Sequence, residues 1–225
     1  GTKNGIWTWW YNTGIKKSEG NYIDNEQDGL WSYFANDGSI DEEISFSNGK
    51  KDGRSTLWLT PEEKQEEKFY RKGRLDGPST VWKNGYRSIM TNYRSDVPDG
   101  PWVIWYPNSD QIKEQGFHQE GIKEGLTTYY YEDGTMQREG FYKNGFADGI
   151  WTYWNTKGEK DFDFDFGSGL EHIAIEDAPE RASDGLFYKI NEDVPFTGII
   201  THVDEETGYE FLGRVKNGKK DGQWV

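Results

Sequence analysis

A glycine recurs about every 24 residues along most of this chain, a spacing within the range that is typical of repeat proteins. It follows an acidic or amide residue each time. The glycines are Gly5, Gly29, Gly53, Gly77, Gly100, Gly125 and Gly149, and their numbers differ successively by 24, 24, 24, 23, 25 and 24. In such architectures each unit packs mainly on its neighbours. We therefore expect seven like units rather than one central core.

Aromatic residues occupy fixed places in the repeat, counted from each glycine as position zero. Position +5 is aromatic in all seven units, namely Trp10, Phe34, Trp58, Trp82, Trp105, Tyr130 and Trp154. Position +17 holds Tyr22, Phe46, Tyr70, Tyr93, His118, Tyr142 and Phe166, if the first turn loses a residue in the fourth unit and gains one in the fifth. Because one hairpin cannot bury its own apolar side, stacked ladders of these rings are expected to form the core. On this interpretation, replacing Trp82 by Ala destabilises the protein more than replacing Trp102.

Turn residues separate these columns at both ends of each unit. Asn12-Thr13-Gly14 and Asn36-Asp37-Gly38 are typical of one end. The other end is predicted to be closed by segments such as 48–53 and 144–149, which run from an Asn-Gly pair to the Asp-Gly pair of the repeat glycine. Asn-Gly and Asp-Gly pairs supply the positive φ that tight hairpin turns require. The pattern predicts an all-β fold: an elongated, single-layer antiparallel array of β-hairpin repeats of about 24 residues.

The repeat resembles a known family. The segments 148–158 and 139–145 combine Asp-Gly-x-Trp-x-x-Tyr/Trp and Glu-Gly-x-Tyr-x-x-Gly patterns similar to those of MORN-repeat variants, among them the YwqK-type antitoxin components of bacteria. The resemblance covers about 1–169 and again 184–225. It implies MORN-like hairpins in a non-enzymatic scaffold or protein-binding module. Its finer implication is an antitoxin or immunity-type protein that neutralises a basic toxin.

The period predicts how the chain is divided. Residues 1–169 form the seven-unit array, 170–197 an irregular acidic connector and lead-in, and 198–225 the start of a second array. Gly198 and Gly222 again have the spacing of one full repeat, and Trp224 opens a further unit. Because the chain has no initiator Met and opens inside a motif, we expect a fragment or a processed form.

A third set of aromatic residues lies at position +2, with parity opposite to position +5. Ser55, Ser79 and Thr127 interrupt this set, which indicates a weaker packing demand there. Either both sheet faces are aromatic or a bulge rotates the strand, and the sequence leaves both alternatives open. The predicted partner contacts at this position are Trp7, Trp31, Trp102 and Trp151. Exposed rings in a row would suit a protein or, alternatively, a cell-surface glycan.

The charge predicts a second contact region. The chain has 26 basic and 40 acidic residues, for a net charge of −14. Residues 159–206 hold 14 acids and three bases, which accounts for −11 of that total. Candidate contacts for a basic partner in this region are Asp161, Asp163, Asp165, Glu176, Asp177 and Glu180. The alternative is a solvated connector. An acidic balance argues against nucleic acid and anionic lipid as partners.

No motif predicts catalysis, a cofactor or a metal. Asp161, Asp163 and Asp165 share one strand face, but the glycine and glutamate that an EF-hand loop requires are misplaced. The tripeptide 165–167 spells the kinase Asp-Phe-Gly, yet no other kinase motif accompanies it. Position +14 often holds Glu, for which we expect a solvated or Lys-paired row; its members are Glu19, Glu43, Glu67 and Glu139.

Composition leaves the compartment open. The chain has no Cys, which suits an envelope protein as well as a cytosolic one and excludes a thiolate nucleophile. No apolar run predicts a transmembrane segment. A cell-envelope or secreted location is favoured over the cytoplasm.

Overall fold

The computed structural model describes residues 1–167, 171–174, 180–181, 186–190, 194–203 and 210–224. These residues form strands and turns and contain no helix, so the all-β prediction is confirmed. The first fifteen strands are β1 (Gly5–Trp10), β2 (Lys16–Ile23), β3 (Glu26–Phe34), β4 (Ile40–Ser47), β5 (Lys50–Trp58), β6 (Lys64–Arg71), β7 (Arg74–Lys83), β8 (Tyr86–Arg94), β9 (Val97–Trp105), β10 (Ile112–Gln119), β11 (Ile122–Lys123), β12 (Gly125–Tyr130), β13 (Met136–Lys143), β14 (Phe146–Trp154) and β15 (Lys160–Asp165). The remainder are β16 (Glu171–Ala174), β17 (Glu180–Arg181), β18 (Leu186–Phe187), β19 (Gly198–Val203), β20 (Glu210–Lys216) and β21 (Lys219–Trp224).

Strands β1 to β15 form one 15-stranded sheet, in which strands that follow each other in the chain pair antiparallel as hairpins. A second sheet has the order β16-β19-β20-β21, with β16 parallel to β19, and β17 pairs with β18. The chain divides into two compact units. Unit 1 comprises Gly1–Ile122 with Tyr129–Thr135, and unit 2 comprises Lys123–Thr128 with Met136–Val225. The domain boundaries at 169 and 197 stay predictions.

The turns lie where the sequence predicts them. Asn48 and Gly49 both have positive φ, of 48° and 73°, and Asn144 and Gly145 have 52° and 86°. Two consecutive positive φ values define the type I′ turn, whose twist matches that of the flanking strands. At the other end, Tyr11 N–H donates to the Ile15 carbonyl at 2.8 Å and closes a longer turn.

The repeat glycine itself lies inside a strand rather than in a turn. Gly29 and Gly53 have φ of 73° and 101° within β3 and β5. The pairing of β2 with β3 shifts register between Glu19 and Asn21, opposite Gly29. The glycine therefore supplies the left-handed backbone of a β-bulge, which corrects the expectation that its Asp-Gly pair forms a hairpin turn.

The residue before the glycine has a separate role. In three repeats its side chain accepts a hydrogen bond from the backbone N–H that opens the type I′ turn at the far end of the same repeat. Asp52 Oδ2 accepts from Lys72 N at 3.2 Å and, in unit 2, Glu124 Oε2 accepts from Asn144 N at 2.7 Å. Asn4 does the same for Asp24 at 2.8 Å. The acidic or amide residue thus ties the type I′ turn at the end of one repeat to the strand on which that repeat begins.

Trp31 shows what the bulge achieves in unit 1. Its indole lies directly on Gly20, where an added Cβ would meet ring atoms at 2.2 to 2.5 Å. The indole N–H donates to the Asn21 carbonyl at 3.1 Å. The Tyr22 ring meets the indole edge-on, with centroids 5.0 Å apart at 85°. The side chain is 2 % exposed and its polar group is satisfied.

Unit 2 repeats this arrangement. Trp151 lies on Gly140, where a Cβ would come within 2.3 Å of the indole. Its N–H donates to the Phe141 carbonyl at 3.1 Å, and the Tyr142 ring lies 5.2 Å away at 87°. In the C-terminal sheet Trp224 lies on Gly213 in the same way. The contact is a property of the repeat, since three separate copies share it.

The position +2 tryptophans are therefore core residues. Trp31, Trp102 and Trp151 are each 2 % exposed, and only Trp7, at 39 %, lies largely open among the four predicted contacts. The expectation that all four rings are exposed is wrong for three of them. Positions +2, +4 and +17 lie on one face through the regular register, in which Gly5 pairs with Tyr22 and Trp7 with Gly20, and their rings contact one another there. We call this the aromatic face.

Position +5 lies on the opposite face. Trp10 is 59 % exposed, Trp58 and Trp82 are half-buried, and Trp105 is 8 % exposed. Each pairs across its hairpin with position +11, as Trp58 does with Lys64. The expected +5 core ladder is thus wrong for Trp10, and the +5 rings form a second, more open row.

The Gly20–Trp31 contact predicts a reversal of sign. In the wild type, Gly20→Ala is expected to destabilise unit 1 by about 1–3 kcal/mol, because the methyl group must displace the indole. In the Trp31→Ser background the same change is expected to stabilise by about 0.5–1 kcal/mol, since Ala is better than Gly inside a strand. Urea unfolding of the four proteins measures both effects. The chain already contains such a combination. Ile44 lies at the position of Gly20, faces Ser55 at the position of Trp31, and is buried. Equal losses in both backgrounds would contradict this account.

The burial difference between the two rows gives a second prediction, opposite to the expectation from sequence. Trp102→Ala is expected to destabilise by about 3–5 kcal/mol, as for other fully buried large rings. Trp82→Ala removes a half-buried ring and should cost less. Paired thermal and urea unfolding curves decide the order, and a larger loss for Trp82 would restore the +5 row as the core.

Candidate partner-binding surface

The face opposite the aromatic face carries polar networks. In unit 1, Thr8 Oγ1 and Lys16 Nζ both donate to Glu19 Oε2 at 2.9 Å. In unit 2, Thr152 Oγ1 and Lys160 Nζ donate to the two oxygens of Asp163 at 2.8 and 2.6 Å. These side chains occupy positions +3, +11 and +14 in both units, so the repeat builds the same network twice. We call this the polar face.

The networks keep their carboxylates ionised. The hydrogen bond from Lys16, followed by that from Thr8, lowers the pKa of Glu19 below its usual value. The bonds from Lys160 and then Thr152 lower the pKa of Asp163 in the same way. A depressed pKa means that the interaction stabilises the fold above the ordinary carboxyl pKa and is lost as the pH falls through the lowered one.

The position +14 row is Lys-paired where the sequence supplies a lysine at +11. Lys16 pairs with Glu19 at 2.9 Å, and Lys64 with Glu67 at 2.7 Å. The prediction of a Lys-paired row is confirmed at these two positions. Glu139 instead accepts from Thr128 at 3.0 Å. Exposed pairs of this kind stabilise weakly and orient side chains more than they hold the fold.

The same lysines fill the spaces between position +5 rings. Lys64 Nζ lies 5.8 Å from the Trp58 ring centroid and 5.6 Å from that of Trp82. Lys16 lies 5.6 Å from Phe34 in the same manner. A cation within about 6 Å of a ring face is attracted by the ring quadrupole. Cations and rings therefore alternate along this part of the polar face.

Unit 2 presents an apolar cluster on its polar face. Leu126, Phe141 and Ile150 lie on the consecutive strands β12, β13 and β14 and are 45 %, 56 % and 63 % exposed. They occupy repeat positions +1 and +16. Exposed apolar side chains that cluster on one face are typical of interaction surfaces.

Carboxylates border this cluster. On β15, Asp161, Asp163 and Asp165 are exposed and alternate with the more buried Phe162, Phe164 and Phe166. Ile150 pairs across the strands with Asp165. We call Leu126, Phe141 and Ile150 together with these three aspartates the apolar–acidic patch. The Arg214 guanidinium approaches Asp165 only to 3.9 Å and bonds Asp221 more closely, at 3.1 Å.

The predicted contacts therefore separate into three groups. The three aspartates of β15 are exposed together, whereas the buried tryptophans are remote from solvent. Glu176 and Asp177 lie outside the described residues, and Glu180 belongs to β17 with no described side chain. Sequence reasoning missed the apolar half of the patch. A signal was present, because position +1 is Ile or Leu in four units: Ile6, Leu30, Leu126 and Ile150.

A metal site finds no support within the described ranges. Three or more acidic or histidine side chains do not converge anywhere among them to hold a metal ion. His118 lies beside the Trp102 indole at 5.6 Å, as a position +17 ring. No stretch of the described chain forms a helix with the length and apolarity needed to cross a membrane.

Comparison with known families agrees with the repeat geometry. The MORN repeat variant family model matches residues 3–24, 27–48 and 123–144. All three matches begin two residues before a repeat glycine, so the family and the structure share one phase. MORN repeats are generally modules that bind proteins or membranes rather than catalytic domains. No curated protein matches the chain.

The polar network predicts a local titration. Removing the Thr8 hydroxyl with Thr8→Val is expected to raise the pKa of Glu19, because one of its two hydrogen bonds is lost while Lys16 remains. Carboxyl ¹³C chemical shifts followed from pH 2 to 7 measure the change. Asp163 in unit 2 serves as the internal control and should titrate as in the wild type. An unchanged Glu19 titration would show that Lys16 alone sets its pKa.

Proposed function

We propose that this chain is a non-enzymatic protein-binding module of the MORN-like class, and that the apolar–acidic patch of unit 2 contacts the partner. The observation that carries the proposal is the adjacency of three exposed apolar side chains and three exposed aspartates on one sheet face. Buried apolar area supplies affinity, and the carboxylates select a partner with basic side chains around an apolar centre.

The YwqK-type resemblance gives this proposal a finer form. An antitoxin or immunity-type protein would neutralise a basic toxin by covering its positive surface with Asp161 and Asp165 of β15, since Asp163 is already paired with Lys160. Charge complementarity would speed their encounter and fix orientation. The patch supports this form because, among the described residues, no cation pairs with Asp161 and Arg214 stays at 3.9 Å from Asp165. The bacterial origin and the toxin itself belong to this proposal.

Glycan binding is a second candidate, supported by different residues. Trp10 is largely exposed on the polar face of unit 1, and half-buried rings follow it at the same repeat position. Sugars stack on such rings, with nearby carboxylates and hydroxyl groups as hydrogen-bond partners. This candidate requires Trp10 and leaves the apolar–acidic patch unused, so one set of variants separates the two.

The test is a partner search with quantitative follow-up. The wild-type chain and the double variant Phe141→Ser, Ile150→Asn are immobilised, and proteins retained only by the wild type are identified and purified. The double variant is expected to weaken binding by at least about 1.4 kcal/mol, or tenfold, because a central apolar contact is lost. Asp161→Asn combined with Asp165→Asn should remove most of the salt dependence, since charges are screened over about 3 Å at 1 M salt.

A matched control is available in unit 1. Ile6 occupies the same repeat position as Ile150 and is also exposed, so Ile6→Asn should leave binding unchanged. Equal affinity of the wild type and the double variant would overturn the patch as the contact surface. The second candidate would be established instead by three results together: the wild type binds to a glycan array, the double variant still binds, and Trp10→Ala abolishes binding.

A further inference from the structure

A cavity in unit 1 originates from the irregularity in the repeat length. The glycine interval is one residue shorter than the others after Gly77 and one longer after Gly100. Strands β7 and β8 join through the two-residue turn at Asn84 and Gly85, closed by the Lys83–Tyr86 pair. Strands β9 and β10 join through a longer turn, where Tyr106 N–H donates to Gln111 O at 3.0 Å. A short turn thus lies beside a long one and leaves a cavity of about 240 Å³.

An arginine that stacks on a tryptophan forms part of the cavity wall. The guanidinium carbon of Arg87 lies 4.8 Å from the Trp105 ring centroid, and Trp105 is almost fully buried beneath it. Stacking holds the planar guanidinium in one orientation, so less side-chain entropy is lost when a ligand binds. Trp105 is the position +5 ring of the fifth repeat. The regular placement of this ring therefore fixes where Arg87 can stack.

Polar groups of three kinds accompany the arginine. Lys83 adds a second cation to the lining. Asn84 Nδ2 donates to Asn108 Oδ1 at 2.8 Å, and this amide pair bridges the two turns. Tyr86 adds an exposed ring. A cationic fork, amides and a ring on one concave surface match a ligand with a carboxylate, hydroxyl groups and a compact ring.

The local charge favours a singly charged ligand. Asp110 Oδ1 already lies 3.5 Å from an Arg87 nitrogen, at the long limit of a hydrogen bond. A guanidinium has five N–H donors, more than this one exposed carboxylate accepts. The Asp110 carboxylate shows which group the fork binds, and its negative charge beside Arg87 disfavours a dianionic phosphate more than a singly charged carboxylate.

The geometry points to a binding site for an acidic monosaccharide unit, a uronic or similar sugar acid, between the first turns of the fourth and fifth repeats. Its carboxylate lies on Arg87 and Lys83, and its hydroxyl groups lie on the Asn84–Asn108 pair. The volume is below the roughly 300 Å³ at which drug-sized pockets begin, which suits one sugar ring. The site is in unit 1 and independent of the apolar–acidic patch.

The test is an NMR titration of the full chain with glucuronate, glucose, N-acetylglutamate amide and inorganic phosphate. Glucuronate is expected to saturate with a Kd of about 1–10 mM and to shift the Trp105 indole and the Asn84 and Asn108 side-chain amide signals. Arg87→Ala should weaken binding about tenfold or more, and Arg87→Lys, which keeps the charge and loses the fork, nearly as much.

Two further variants keep the result interpretable. Lys83→Glu changes an exposed strand end without touching the Arg87–Trp105 stack, and it should also weaken glucuronate binding several-fold. Arg71→Ala removes an exposed arginine outside the cavity and should change nothing. The proposal would be overturned if glucose saturates the site and glucuronate does not, or if phosphate or the glutamate derivative binds more tightly than glucuronate. Full glucuronate affinity in both Arg87→Ala and Lys83→Glu would also overturn it.

Discussion

The contact between a position +2 tryptophan and the glycine beneath it determines most of this structure. Trp31 on Gly20, Trp151 on Gly140 and Trp224 on Gly213 are the same contact made three times. A single sheet has no second layer to cover its apolar residues, so a large ring must lie flat on the backbone to be buried. In these three copies the ring needs a residue without Cβ beneath it, whereas Trp102 faces Thr91 at the corresponding position and is equally buried. Where Ser55 replaces the tryptophan, Ile44 occupies the glycine position and restores the packing.

The sequence predicts the strands, turns and repeat phase because hairpin turns depend on local residues. Asn48-Gly49 and Asn144-Gly145 form type I′ turns, since those residues tolerate positive φ. The choice of the core face was harder, because positions +2 and +5 are both rich in aromatic residues and the alternation of a strand places them on opposite faces without showing which face is buried. The prediction that Trp31, Trp102 and Trp151 are exposed depended on taking position +5 as the core column and on the interruption of position +2 by Ser55, Ser79 and Thr127.

The candidate surface was half predictable for a related reason. Asp161, Asp163 and Asp165 alternate with phenylalanines in the sequence, and the regular register from Phe162 to Asp165 keeps Asp163 and Asp165 on one face, while the register shift of β15 falls at Asp161. Leu126, Phe141 and Ile150 lie on three different strands, so only the register brings them onto one face beside the aspartates. The two networks built on Glu19 and Asp163 show that the polar face reuses one arrangement, whereas the apolar–acidic patch depends on substitutions particular to the last units.

The hydrogen bonds that the strand before a repeat-ending hairpin accepts from its turn determine how small a folded piece of this protein can be. Asp52 holds the N–H of Lys72, and the neighbouring Gly73 N–H donates to the Lys51 carbonyl at 2.7 Å. A type I′ turn at the end of a repeat is therefore completed by the strand that precedes the hairpin it closes, and that strand also begins the pairing with the repeat before. A hairpin cut out without this strand would leave donors without acceptors at its own turn. The elementary cooperative segment is thus longer than one hairpin, and the fold propagates from an ordered strand to the turn that follows it along the chain.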